Sequence, residues 1–197
     1  MNRPFMHQEV PLSIRTLQAV GITVSAFLAG QQASLTYIAT PALLQSPAPL
    51  LVRQWKKCFD ISRGVETMAA LGLGALFGYL AYREPSSSTS SFRLYAAAAV
   101  LLPSTVPYTM VLMQPINAKL LHRADTMAAS AITDAAAEAG VVQEETAHAL
   151  VDKWATLHLG RALIAAAGAL SATWATLSAV EVLGFEKIGL ASGANRI

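Results

Sequence analysis

Charge is scarce in this chain. Lys and Arg number 14 and Asp and Glu 12 among 197 residues, so charged side chains make up 13%, against about 25% in an ordinary soluble domain. With 54% apolar side chains and a mean hydropathy of +0.45, the composition points to one domain embedded in a bilayer. Cysteine is scarcer still. Cys58 stands alone, which excludes an internal disulfide, a zinc knuckle and a redox pair and leaves it as a packing residue. The net charge is only +2, and the basic residues are not interleaved with aromatics, so there is no footprint for nucleic acid. A cleavable leader is not expected either. Met1 to Thr16 is polar, with Pro4 and Pro11, and the apolar stretch that follows is too long for a signal core, so the first span reads as an uncleaved anchor.

Ligand sets are also lacking. None of His7, His122, His148 and His158 has metal-site spacing with acids on the same face, and His148 with Asp152, at i and i+4, reads as solvated surface. The glycine run Gly72 to Gly78 has one residue too many for a dinucleotide fingerprint and lies inside an apolar stretch. No serine sits in a nucleophile elbow. An enzyme built on this chain would be cofactor-free, with no metal.

What the chain has is long apolar runs. About 20 such residues cross a hydrocarbon core, and four stretches fit: 17–40, 65–82, 94–113 and 160–183. The expectation is all-α, a membrane-embedded four-helix bundle forming a single integral domain over 1–197. Between the first two spans, Pro41 to Gly64 opens with Pro41, Pro47 and Pro49 and closes with Arg53, Trp55, Lys56, Lys57 and Phe59, which reads as an interfacial loop. Glu84 to Ser91 reads as a serine-rich turn. From Asn117 to Lys153 the chain is alanine-rich and acidic, and Gly140 divides it into two helical pieces that extend the third and fourth helices on the side of the Pro41 to Gly64 loop. The basic residues of the two sides are too evenly matched to orient the bundle. Gly74 with Gly78, and the stripe Ala165, Gly168 and Ala172, are small residues at helix-contact spacing.

Two constellations could carry chemistry. Trp154, His158 and Arg161, at i, i+4 and i+7, share one helix face at the entrance to the uncharged run from Ala162 to Val180. An arginine near bilayer depth costs on the order of 3 kcal/mol and usually faces a bundle interior; the alternative is that Arg161 snorkels and His158 is interfacial. The third span holds Pro103, Pro107, Tyr108, Met110, Met113, Pro115 and Asn117. On a straight helix Met110, Met113 and Asn117 share a face, and a thioether wall ending in an amide suits a flat aromatic guest. Gap-filling methionines with a helix-bridging Asn117 are the plainer alternative. Tyr108 points the opposite way unless the prolines rotate it.

The segment Gln54-Trp55-Lys56-Lys57-Cys58-Phe59, the run from Pro107-Tyr108-Thr109 to Pro115-Ile116-Asn117, and Trp154 through His158-x-x-Arg161, set among four spans, resemble the fungal anthrone oxygenases over about Leu17 to Leu183. Where family members often carry a Gly and Pro after the Trp-x-x-x-aromatic segment, this chain has Gly64 followed by Val65-Glu66-Thr67. The resemblance implies oxidation of a tricyclic polyketide anthrone to the anthraquinone with dioxygen. An anthrone is a carbon acid whose enolate is electron-rich enough to meet dioxygen directly, so a base, an oxyanion stabiliser and a dry slot suffice. His158 would be the base, Arg161 and Asn117 would hold the oxyanion, and Trp154, Tyr108, Met110, Met113 and Trp55 would bind substrate. The location implied is a multi-pass protein of the endoplasmic reticulum or a related endomembrane, in contact with lipid. Association with other polyketide enzymes is a further expectation. Two other classes stay open: a small transporter that uses Arg161 to meet an anionic solute, and a non-catalytic scaffold that gathers pathway enzymes through Asn117 to Lys153.

Overall fold

The computed structural model describes residues 10–84, 89–134 and 137–193, with side chains as far as Ser178. The serine turn at 85–88, both tails and the side chains beyond Ser178, among them Lys187, lie outside the described residues. Four helices follow in order: α1 (Leu12–Leu43), α2 (Ala48–Tyr82), α3 (Ser90–Thr126) and α4 (Ala147–Gly193). Each is long and apolar enough to cross a membrane, and no strand occurs among the described residues. Each expected span lies inside one of these longer helices.

The loop expected from Pro41 to Gly64 is a correction. All but a four-residue turn at 44–47 is helical, because the prolines sit where helices tolerate them. Pro47 is the N-cap of α2, with ψ 150°, and Pro49 lies in its first turn, where a missing N–H breaks no helical bond. Leu51, Val52 and Trp55 are buried while Lys57 and Asp60 face outward, so the segment is amphipathic. The third and fourth helices do extend beyond their spans, to Thr126 and from Ala147, but the two helical pieces expected to meet at Gly140 do not: the described residues between Met127 and Thr146 form turns and the 3-10 turn Gln143–Glu145. Alanine favours a helix, but a short one with no apolar face to bury is marginal. Here Arg53 Nη2 takes over the carbonyls of Met127 (3.0 Å), Ala128 (3.0 Å) and Ser130 (2.6 Å).

Two π turns interrupt the helices, Leu35–Ala39 in α1 and Thr109–Met113 in α3. Each ends two residues before a proline, Pro41 or Pro115. A proline in a helix removes one N–H and presses its ring against the carbonyl four residues back. Widening the preceding turn relieves that contact, and the N–H groups of Thr40 and Gln114 reach back to Leu35 O and Thr109 O.

The helices form a ring in which α4 packs on α1 and α3, and α2 closes the other side against both. Gly74 lets α2 approach α3 at Pro103, and Gly168 lets α4 approach α3 at Leu102. Two apolar cores result. One joins Leu28, Leu73, Phe77, Tyr95, Leu102, Ala165 and Ala172 within the spans. The other joins Leu51, Val52, Trp55, Leu120, Leu150, Val151 and Trp154, where α2, α3 and α4 all extend. Polar side chains are buried beside these cores as well, among them Gln32, Glu66, Asn117, His158 and Arg161.

Candidate active site

The α4 face built from Trp154, His158 and Arg161 is turned into the bundle, and all three side chains are buried. The spacing stacks the His158 ring on Trp154, with centroids 4.6 Å apart and planes 27° apart. The π turn of α1 brings Thr36 to the other edge of the imidazole, Oγ1 to Nδ1 3.3 Å. The Thr36 hydroxyl also donates to the Gln32 carbonyl at 3.4 Å. In the tautomer whose Nδ1–H donates to the Thr36 hydroxyl oxygen, the lone pair sits on Nε2.

One turn further along α4, Arg161 Nη2 lies 2.6 Å from Glu66 Oε2. Gln31 Nε2 donates to the other carboxylate oxygen at 3.0 Å. Glu66, the second residue of the apolar stretch 65–82, therefore joins α2 to α1 and α4. A charge within a span is a functional signal in its own right, and it was the available clue. Gln31, Gln32 and Thr36 carry no comparable signal in the sequence.

The π turn of α3 decides which residues of that helix face this centre. One extra residue in a turn rotates everything beyond it by about 100°. Tyr108 and Asn117, nine residues apart, lie roughly opposite on a straight helix but come within roughly 80° of each other once one residue is taken up by the wide turn. Both face α4: Asn117 is buried, and the Tyr108 hydroxyl donates to Leu157 O at 2.9 Å. Gly160 makes that approach possible, since a Cβ there would meet the Tyr108 hydroxyl. Met110 is swung out by the same rotation. It is 68% exposed whereas Met113 is 1% exposed, so the expected wall of two methionines is corrected to Met113 alone.

A cavity of about 160 Å³ opens between α2 and α3, and Met113, Asn117, Trp154, His158 and Arg161 line it together with Phe59, Ser62, Arg63, Thr67, Thr109 and Gln114. Trp55 and Tyr108 are not among its lining residues. Trp55 stands behind the wall, stacked on Phe59 at 5.1 Å and edge-on to Trp154 at 6.0 Å. Three buried polar atoms of the lining residues have no partner among the described residues: Arg161 Nε, Trp154 Nε1 and Asn117 Oδ1. Leaving such an atom unpaired costs about 1–3 kcal/mol, so their presence on residues that line one cavity favours a polar ligand there; Gln32, Trp55 and Glu66, outside the lining, carry the other such atoms of the described residues. A larger open cleft, about 430 Å³, is lined by Arg53, Lys56, Lys57, Asp60 and Asp125. Its Lys56 and Asp125 pair at 2.8 Å, and it contains none of the unpartnered buried atoms. No group of three or more His, Cys, Asp or Glu side chains among the described residues is placed to hold a metal.

A family model described as anthrone oxygenase matches residues 55–171, a stretch that begins at Trp55 and takes in Glu66, Asn117, His158 and Arg161. An anthrone oxygenase of Paecilomyces divaricatus is 29% identical over 162 residues, covering 81% of this chain and 94% of that protein. One of Aspergillus fumigatus is 29% identical over 170 residues, 82% of this chain and 92% of its own. A noranthrone monooxygenase of Aspergillus flavus is 30% identical over 154 residues, 77% of this chain and 69% of its own. No solved structure matches the chain. The relatives are aligned over most of their length and the family match spans all three helix faces that line the cavity, and on that ground this chain belongs to the anthrone oxygenase family.

Proposed function

We propose that this membrane protein oxidises a tricyclic polyketide anthrone to the anthraquinone with dioxygen, without a cofactor, and that the cavity between α2, α3 and α4 is where it does so. The observation that carries the reading is that one cavity is lined by His158 together with Arg161, Trp154 and Asn117, each of which has an unpartnered buried polar atom. His158 Nε2 takes a proton from the ring methylene opposite the carbonyl. The Arg161 and Trp154 N–H groups and the Asn117 amide receive the enolate oxygen and the hydroxyls beside it. The enolate carbon passes its electron pair to dioxygen, forming a C–O bond and a hydroperoxide once the proton returns. Loss of water then breaks the O–O bond and leaves the second carbonyl, so one oxygen atom enters the product and the other leaves as water. Met113 and the stacked Trp154 and His158 rings keep bulk water from the reacting carbon. Trp55 and Tyr108 act behind the wall, by holding Trp154 and α4. The family's membership among polyketide enzymes and the four spans support a place in an endomembrane such as the endoplasmic reticulum, where apolar anthrones partition.

The test is dioxygen uptake by purified protein in detergent, against protein-free micelles to subtract spontaneous oxidation. The expected result is one dioxygen consumed per anthraquinone formed, at a rate that survives exhaustive chelation. Uptake no faster than the background would remove the oxygenase reading. Activity lost on chelation and restored by a stoichiometric metal would remove the cofactor-free chemistry.

A further inference from the structure

The cavity is small for its guest, and that directs attention to its mouth. An interior of about 160 Å³ is close to the roughly 150 Å³ that takes one benzene. A tricycle is too large to be enclosed whole, so with the methylene of its central ring beside His158 one of its two outer rings is left at the opening. Three residues of α2 at i, i+4 and i+8 form a ladder that runs from behind the wall to that opening. Trp55 stacks on Phe59 at 5.1 Å, and the Arg63 guanidinium stands 5.5 Å from the centre of the same Phe59 ring. Phe59 and Arg63 both line the cavity.

Arg63 differs from the buried arginine. The charge of Arg161 is offset by Glu66 at 2.6 Å. The Arg63 side chain has its ring contact, but none of the ion pairs or side-chain hydrogen bonds of the described residues involves it. Asp60, one turn away, lines the separate outer cleft. A guanidinium carries five N–H donors in a planar fork suited to a carboxylate, and this one is held at the rim by an aromatic ladder with its fork unspent.

Resting on the oxygenase reading above, we propose that Arg63 is a specificity-determining residue that binds a carboxylate on the outer ring of the substrate, so that anthrone carboxylic acids are taken in preference to their uncharged counterparts. Phe59, beneath the guanidinium, offers the apolar body of such a molecule a ring to lie against at the opening, while the guanidinium meets its one charge.

The experiment uses stable product-like probes, an anthraquinone carboxylate and its carboxamide, titrated into the purified full chain and followed by quenching of tryptophan fluorescence. Because hydrogen bonds to charged groups are the strong ones, the wild type should bind the carboxylate about tenfold or more tightly than the carboxamide. Arg63→Gln should bring that ratio close to one, and Arg63→Lys should leave it in between, keeping the charge without the fork. A ratio unchanged in Arg63→Gln, or a wild type that binds both probes alike, overturns the proposal and makes Arg63 a side chain that only reaches for lipid headgroups. Binding does not depend on turnover. Charge-selective binding that requires Arg63, in a protein that oxidises no anthrone, would uphold this subsite while removing the oxygenase reading.

Discussion

Arg161 and Glu66 are paired at 2.6 Å where the carboxylate side chain has no exposure and the guanidinium side chain 9%. Two helices are therefore joined, through residues 66 and 161, by a charge pair that neither partner can leave for water. Removing one partner of such a pair costs about 3–5 kcal/mol, because the survivor stays buried and uncompensated. Glu66→Gln should accordingly lower the detergent melting temperature sharply and abolish turnover. The double variant Glu66→Gln with Arg161→Met should recover much of the stability and none of the activity. Recovery of both would show that the pair holds the bundle together and has no part in positioning a donor.

The π turn of α3 separates two methionines that a straight helix would align. Met113→Ala, at a buried site, should cost about 2–5 kcal/mol and raise KM by opening the cavity wall. Met110→Ala, on the outer face, should change stability by no more than about 0.5 kcal/mol and leave the kinetics alone. Equal effects of the two substitutions on KM would contradict the rotated register.

Gly160 and Tyr108 form a second pair with a measurable coupling. A Cβ at position 160 would meet the Tyr108 hydroxyl, so Gly160→Ala should destabilise the protein and reduce activity. Tyr108→Phe removes the hydroxyl and its bond to Leu157 O, worth about 1 kcal/mol. Combined, the two should cost less than the sum of the separate effects, since the group that collides is gone. Strict additivity in a thermal-melt cycle would contradict the close approach.

The apolar runs made the four helices legible, because about 20 uncharged residues have few alternatives to a span. The amphipathic half of α2 was not legible as helix: Pro47 and Pro49 read as loop punctuation, and only their place at the cap and first turn makes them compatible with one. The α4 face could be read from spacing alone, since no irregularity intervenes between Trp154 and Arg161. The α3 face could not, because one wide turn moves Met110 out and brings Tyr108 and Asn117 to the same side. Thr36 and Gln32 escaped notice for a different reason: a hydroxyl and an amide in an apolar helix are common, and only the fold puts them beside His158.

Four spans place the 127–146 connection on the face opposite the 83–90 turn. Single cysteines introduced at Thr133 and Thr89, in a background with Cys58→Ala, should react with an impermeant maleimide from opposite sides of sealed vesicles. Labelling of both from one side would remove the four-span topology.

Dioxygen uptake driven by anthrone, read above the spontaneous background in wild type and His158→Ala, tests the imidazole as base most directly. The Ala variant, folded and at normal abundance, should turn over about 10²-fold to 10⁴-fold more slowly than the wild type. A folded His158→Ala protein that keeps the wild-type rate would contradict the assignment of His158 as the base.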